Sequence, residues 1–268
     1  MSVAGGPIEV QGHRGARALF PENTLPAFAY AMKVGADVLE LDVHVTKDDR
    51  LIVAHDPLVS RELCLHPDGK AVDQDIPIRS LTLAEAQRFD CGSRRHPRFP
   101  NQTLVPGTRM PALAEVLELV RTSTVRLNIE AKSIPGRVDL QPSPVAFAKL
   151  VVAELRASKM ESRATLQSFD HRILRAAHAI APKLVLAALL EETFLDHASM
   201  VRAARAKILS PNHLWITADV VKSMHAIGVR VVPWTANTPD DWTRLLALGV
   251  DGIITDDPAA LIAFLRPR

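Results

Sequence analysis

The run Ile8-Glu9-Val10-Gln11-Gly12-His13-Arg14-Gly15, followed by Pro21-Glu22-Asn23-Thr24 and then Val38-Leu39-Glu40-Leu41-Asp42-Val43, reads as one strand–helix–strand unit. Ile8 to Gly12 is an apolar strand, and Pro21 to Thr24 opens a helix that runs to about Val34. Gly35 closes that helix, and Val38 to Val43 is the second strand. Alternate side chains of a strand share a face. Glu40 and Asp42 therefore point together, while Leu39, Leu41 and Val43 point the other way. Two ionised carboxylates side by side repel each other, and burying them without a partner is costly. A divalent cation removes that cost.

The same alternation of short apolar runs with amphipathic segments continues to the end of the chain. Strands are expected at Arg126–Glu130, Ala164–Ser168, Leu184–Leu189, Lys207–Ser210, Val229–Trp234 and Gly252–Thr255. Helices are expected over about Pro144–Ala157, His171–Ala179, Thr217–Ile227 and Pro239–Leu248, with Asp257-Pro258 starting the last one. Eight such units define an α/β fold, a (β/α)8 TIM barrel with an insertion after the second strand. After Asp48-Asp49, Leu51 to Ala54 returns as a hairpin arm and delivers His55. From about 57 to 110 there is more chain than a strand-to-helix connection needs. It carries one helical piece, Thr82–Phe89, and reads as an insertion over the barrel mouth. No linker divides the chain, so residues 1–268 are expected to form a single domain.

At 268 residues with 47% hydrophobic content the chain can bury a large core. Its 32 basic and 30 acidic side chains leave a formal charge of +2, too little to argue for nucleic acid or an anionic membrane surface. Arg94, Arg95 and Arg98 read as a solvated loop, with a substrate-facing role as the lesser alternative. Nothing approaches the roughly 18 consecutive apolar residues of a membrane span, so no stable membrane insertion is expected. Met1 to Pro7 has neither the basic nor the apolar region of a signal peptide. The expectation is cytoplasmic, or periplasmic or secreted if a leader has been removed. Cys64 and Cys91 show no zinc spacing. Reduced thiols are the simpler reading, with one disulfide between them left open.

In a barrel, catalytic groups come from the C-terminal ends of the strands. Those ends carry His13 and Arg14, Glu40 and Asp42, Glu130 and Lys132, then Gln167 and Ser168, and later Trp234 and Asp256. Glu130 would complete a three-carboxylate oxygen site suited to one hard divalent cation, Mg2+ or Ca2+. Arg14 and Lys132 suit the oxygens of a phosphate, and His13 and His55 suit general acid and base work near neutral pH. An acidic pair on a strand is more often half-exposed and matched by a basic side chain; the surrounding groups favour the metal reading. Trp234 is equally ordinary barrel filling or an apolar wall for substrate. Glu22 and Asn23 read as helix-start residues ahead of a direct catalytic role, and Asp256 as helping to begin the last helix. His44, His66, His96, His171, His178, His197, His213 and His225 read as surface or hydrogen-bonded core.

With these motifs in hand, the chain resembles the glycerophosphodiester phosphodiesterases. The matching stretches are Gly12-His13-Arg14-Gly15, Pro21-Glu22-Asn23-Thr24, Glu40-Leu41-Asp42, His55-Asp56, Glu130-Ala131-Lys132, Gln167-Ser168-Phe169, Pro233-Trp234-Thr235-Ala236-Asn237 and Gly249 to Asp256. The resemblance implies a metal-dependent hydrolysis of small-molecule glycerophosphodiesters to sn-glycerol 3-phosphate and an alcohol. It implies His13 and His55 as the catalytic pair, Glu40, Asp42 and Glu130 as metal ligands, Arg14 and Lys132 on phosphate, and Trp234 near the glycerol. The alternatives are a lysophospholipase D or related lipid phosphodiesterase, and a non-catalytic phosphodiester-binding barrel. The latter would require loss of a histidine or carboxylate that this chain retains. The headgroup, the choice of ion and the oligomeric state are not legible.

Overall fold

The computed structural model describes residues 7–265; Met1 to Gly6 of the leader reading lie outside them. Strands β1 (Glu9–Gly12), β2 (Val38–Val45), β4 (Arg126–Ala131), β5 (Ala164–Ser168), β6 (Val185–Leu190), β7 (Ile208–Pro211), β8 (Arg230–Val231) and β9 (Gly252–Thr255) are parallel neighbours in the order β8-β7-β6-β5-β4-β2-β1-β9. The short β3 (Leu51–Val53) pairs antiparallel with β2. Backbone hydrogen bonds from Asp251 to Val231 (2.9 Å), Ile254 to Pro233 (3.0 Å) and Ala236 to Ile254 (3.0 Å) join the last two strands and close the ring. This is the (β/α)8 barrel expected from the sequence.

Helices α1 (Leu25–Val34), α2 (Leu83–Ala86), α3 (Leu113–Leu119), α4 (Pro144–Ala157), α5 (His171–Ile180), α6 (His197–Ala204), α7 (Ala218–Ala226), α8 (Pro239–Leu248) and α9 (Pro258–Leu265) complete the fold. Of the first unit's opening residues, Thr24 is the cap: its Oγ1 accepts from the Ala27 amide, and Gly35 at φ +91° stops the helix. Helix α6 buries only Val201 and Ala204, a stripe too weak to read from sequence. Helix α3 follows the long segment directly, where no strand announces it.

Leu39, Leu41 and Val43 of β2 pack outward with Leu127, Ile129 and Leu166 against Phe28 and Phe147 of the helices. Their partners on the opposite face are polar. Asn128 Nδ2 donates to Gln11 Oε1 and to Gln167 Oε1, both at 2.9 Å, across the barrel interior. At the bottom, Glu9 is buried between Arg230 (2.9 Å) and Arg126 (2.7 Å). Among the described residues the floor is thus a satisfied ionic plug.

The 57–110 segment builds a small core of its own from Val59, Val72, Ile78, Ala86 and Phe89, seated on Ile52 and Met110. Here the structure corrects the thiol reading: Cys64 and Cys91 form a disulfide. Two cysteines 27 positions apart give no sequence sign of meeting; their proximity follows from Leu65 and Asp90 exchanging backbone hydrogen bonds beside them. By loop-closure entropy such a bond contributes about 3.5 kcal/mol. Thiol titration of the denatured, unreduced protein should find no free cysteine. Reduction should sensitise residues 57–110 to limited proteolysis while the barrel resists; free thiols in the untreated protein would refute the bond.

Candidate active site

The turn after β1 sets the first two site residues. A Cβ on Gly12 would stand 2.1 Å from the Gly15 carbonyl oxygen, and Gly15 sits at φ +87°. Only glycines let the chain double back there. The Gly15 amide then bonds the Gly12 (3.1 Å) and Glu40 (3.2 Å) carbonyls, which ties the turn to β2. His13 and Arg14 are held at its crest, Arg14 itself at φ +49°.

Glu40, Asp42 and Glu130 each bring one carboxylate oxygen to within 4.8 Å of the others, and all three are buried. Their environments separate them. Burial, then Asp42 and Glu130, push Glu40 well above the ordinary carboxyl value. Burial pushes Glu130 up to about 7 against the pull of Lys132. Asp42 is also buried, but Lys132 and Arg14 outweigh that and hold it well below its usual range. Lys132 Nζ lies 3.3 Å from Asp42 Oδ1, and Arg14 Nε 3.3 Å from Asp42 Oδ2. Lys132 Nζ is also 3.0 Å from Glu130 Oε1, but off-angle, and that oxygen has no directed hydrogen bond. Three hard oxygen ligands with one orphaned lone-pair site fit a divalent cation.

The two histidines share a design. His13 Nδ1 is 2.5 Å from Asp256 Oδ1, and His55 Nδ1 is 2.8 Å from Asp56 Oδ1. In each ring the carboxylate fixes one nitrogen and leaves Nε2 for the cavity. Burial pushes His13 down to about 4, against the raising effect of Asp256. The imidazole is neutral at pH 7. Asp256 is itself clamped, accepting from Asn237 Nδ2 at 2.9 Å while its amide donates to Asn237 Oδ1 at 2.8 Å. Burial raises Asp256, but His13 and Arg17 prevail and hold the carboxyl below its usual value.

Three residues thus acquire positions that their helix-start readings did not assign. Asp257, not Asp256, caps α9, through the Ala260 amide at 2.9 Å. Glu22 pairs with Arg14 (2.5 Å) and Arg17 (3.1 Å). Asn23, at φ +56°, donates to Asp42 Oδ2 at 2.8 Å. Gln167 donates to Glu40 Oε1 at 2.9 Å. The signal for Glu22 and Asn23 was available, since Thr24 alone suffices as the cap and leaves the other two to be explained. His44 keeps its core reading, with Nε2 donating to the His55 carbonyl at 3.0 Å.

A cavity of about 320 Å³ opens at the top of the barrel, within the range of small-molecule sites. Its lining includes His13, His55, Arg14, Lys132, Glu40 and Glu130, so the structure brings these predicted residues to one space; Asp42 lies beneath, within the carboxylate cluster. Trp234 is part of the wall: its Nε1 donates to the Ser210 carbonyl (3.0 Å) and Phe169 meets its ring edge-on at 5.6 Å. Of the solvated arginines, Arg98 also reaches this lining. Acidic oxygens for a hard cation, cationic nitrogens beside them and two carboxylate-backed imidazoles define a barrel hydrolase of phosphate esters.

Comparison with known proteins agrees. Residues 13–260 match the glycerophosphoryl diester phosphodiesterase family. The glycerophosphodiester phosphodiesterase of Caldanaerobacter subterraneus subsp. tengcongensis is 34% identical over 257 residues, 96% of this chain and 97% of that protein. A crystal structure from Silicibacter pomeroyi, provisionally named a glycerophosphoryl diester phosphodiesterase, superposes with a TM-score of 0.92 at 30% identity, covering 98% of this chain and 95% of the other. An Oleispira antarctica phosphodiesterase solved with the product sn-glycerol 3-phosphate shares the fold, with a TM-score of 0.81 at 22% identity and 96% coverage of each chain. The chain belongs to the glycerophosphoryl diester phosphodiesterase family and is therefore a phosphoric diester hydrolase.

Two outcomes follow from this geometry. Glu40 and Glu130 have carboxyls raised above their unfolded value of 4.5. Their contribution to stability is present below pH 4.5 and is lost as pH rises through about 7. Chelated protein should therefore lose melting temperature across that window. Saturating Mg2+ or Ca2+ should restore it, by about 2.7 kcal/mol at a hundredfold excess over Kd. Glu40→Gln should melt higher than wild type in chelator at pH 7 and respond less to the ion. A melting temperature indifferent to both ions would count against the cluster as a metal site.

If His13 moves a proton in the reaction, Asp256→Asn should lower kcat by roughly 10²- to 10⁴-fold with a smaller change in KM, because the ring loses the group that fixes its tautomer. An acid limb set by His13 should also move to lower pH, because Asp256 raises that ring. Wild-type kcat in this variant would leave Asp256 a purely structural residue.

Proposed function

We propose that the protein hydrolyses small glycerophosphodiesters to sn-glycerol 3-phosphate and an alcohol, using one divalent cation, Mg2+ or Ca2+. The observation that carries this reading is one cavity lined by two aspartate-backed histidines and by Glu40 and Glu130, which cluster with Asp42 beneath it. Glu40, Asp42 and Glu130 would hold the cation, which when bound neutralises charge and polarises a phosphoryl oxygen. Arg14 and Lys132 bind the remaining phosphate oxygens, and Trp234 walls the glycerol side.

His13 and His55 then move the protons. One Nε2 accepts the proton of the attacking hydroxyl as its oxygen bonds to phosphorus. The other Nε2 donates to the oxygen of the departing alcohol as the P–O bond breaks. If the glycerol 2-hydroxyl is the nucleophile, the first product is a cyclic phosphate, and water opens it with the two roles exchanged. No helix of the described residues is long and apolar enough to cross a membrane. The Cys64–Cys91 bond favours an oxidising compartment, since such bonds are rare in the cytosol.

Release of glycerol 3-phosphate from glycerophosphocholine, -ethanolamine and -glycerol, after chelation and again with each ion restored, tests the reading. Metal-dependent release is expected, with His13→Ala and His55→Ala each reducing it by at least about 10²-fold in folded protein. A substrate lacking the 2-hydroxyl should be turned over barely at all by the cyclic route and normally by direct water attack. Full activity of either alanine variant would end the two-histidine scheme.

A further inference from the structure

Large apolar side chains are not scattered over this surface. Among the described residues, Val145 and Val185 stand apart, and the others that face solvent gather on the loops that follow β4, β5, β6 and β7, among them Val138, Phe169, Phe194, Leu195, Leu214 and Trp215. In a parallel barrel these loops are neighbours at one end, the end where the cavity opens. Asn212 Nδ2 bonds Glu191 Oε1 at 3.1 Å and ties the two most apolar loops together. Leu195 is fully exposed and Leu214 is 72% exposed. The 57–110 segment covers the other side of the mouth, so the arc is the half it leaves bare. The arc is also continuous with the site: Phe169 touches Trp234, the cavity wall.

We propose that this arc is a docking face for a zwitterionic phospholipid surface, on which the barrel mouth rests during turnover. The apolar groups are separate loop tips with polar residues between them. That arrangement suits penetration of a headgroup layer better than it suits a flat protein partner. Trp215 is the side chain type that settles at such a boundary. The charge beside the tips selects among lipids. Glu191, Glu192 and Asp196 flank Phe194 and Leu195, and an anionic surface would be repelled there. The inference rests on the surface alone and not on the identity of the substrate.

The test is sedimentation of the protein with phosphatidylcholine vesicles, with and without phosphatidylglycerol, and Trp215 as a fluorescent reporter. Wild type should co-sediment with phosphatidylcholine and its emission should shift to the blue. Added phosphatidylglycerol should not strengthen binding. The triple variant Phe194→Ser/Leu195→Ser/Leu214→Ser should lose roughly tenfold or more in partitioning, while hydrolysis of a water-soluble diester is unchanged. The proposal is overturned if wild type does not bind, if the variant binds equally, or if binding requires anionic lipid and disappears in salt. A wild-type dimer that the variant abolishes, without vesicle binding, would assign the face to a second copy of this chain instead.

Discussion

Three carboxylates that repel one another beneath the open mouth of a closed barrel are the constraint around which the rest of this structure is arranged. Glu40 and Asp42 share a face because they are two apart on β2, and the β2–β4 register sets Glu130 directly beside Asp42. Nothing in the barrel interior could tolerate that charge alone. Lys132 and Arg14 meet Asp42, Asn23 and Gln167 supply neutral donors, and the Gly12–Gly15 turn hands the Arg14 amide to Glu40 at 2.9 Å. The two cations weigh most on Asp42, and burial leaves Glu40 and Glu130 high. The residual imbalance is what a cation would settle, so metal affinity and local instability have one origin.

The same logic orders the histidines. An imidazole that is to move a proton needs its tautomer fixed, and both rings have an aspartate against Nδ1. They differ in shelter: the His13 side chain is 13% exposed and that of His55 33%. His13 rides on the rigid crest after β1, whereas His55 is delivered by the hairpin arm β3 and steadied through its carbonyl by His44. The cavity thus has one deeply held ring and one nearer the solvent.

Much of this was legible in the residues. The period-two spacing of β2, the cap and stop of α1, and the Glu-x-Lys repeat on β4 all follow from local rules, and they place the carboxylates and the barrel together. What sequence could not show was contact between distant positions. Asp256 looks like a helix-starting residue until β9 closes against β1 and puts it on His13. Cys64 and Cys91 look like two unrelated thiols until their segment folds. Glu22 and Asn23 are hidden differently: a helix-start role outweighs a catalytic one in the sequence, yet Thr24 alone fills it. Local explanations that suffice can mask a distant one.

The bond between His13 and Asp256 spans 243 positions. One partner stands at the end of the first strand and the other at the end of the last. A chain emerging from the ribosome carries its three clustered carboxylates and both histidines long before β9 exists, yet the tautomer of His13 stays unset until that strand docks beside β1. With His13 in its proposed role, competence waits on ring closure. The barrel's seam then doubles as a checkpoint: a partly made molecule holds nearly all the chemical groups and lacks the contact that orients His13.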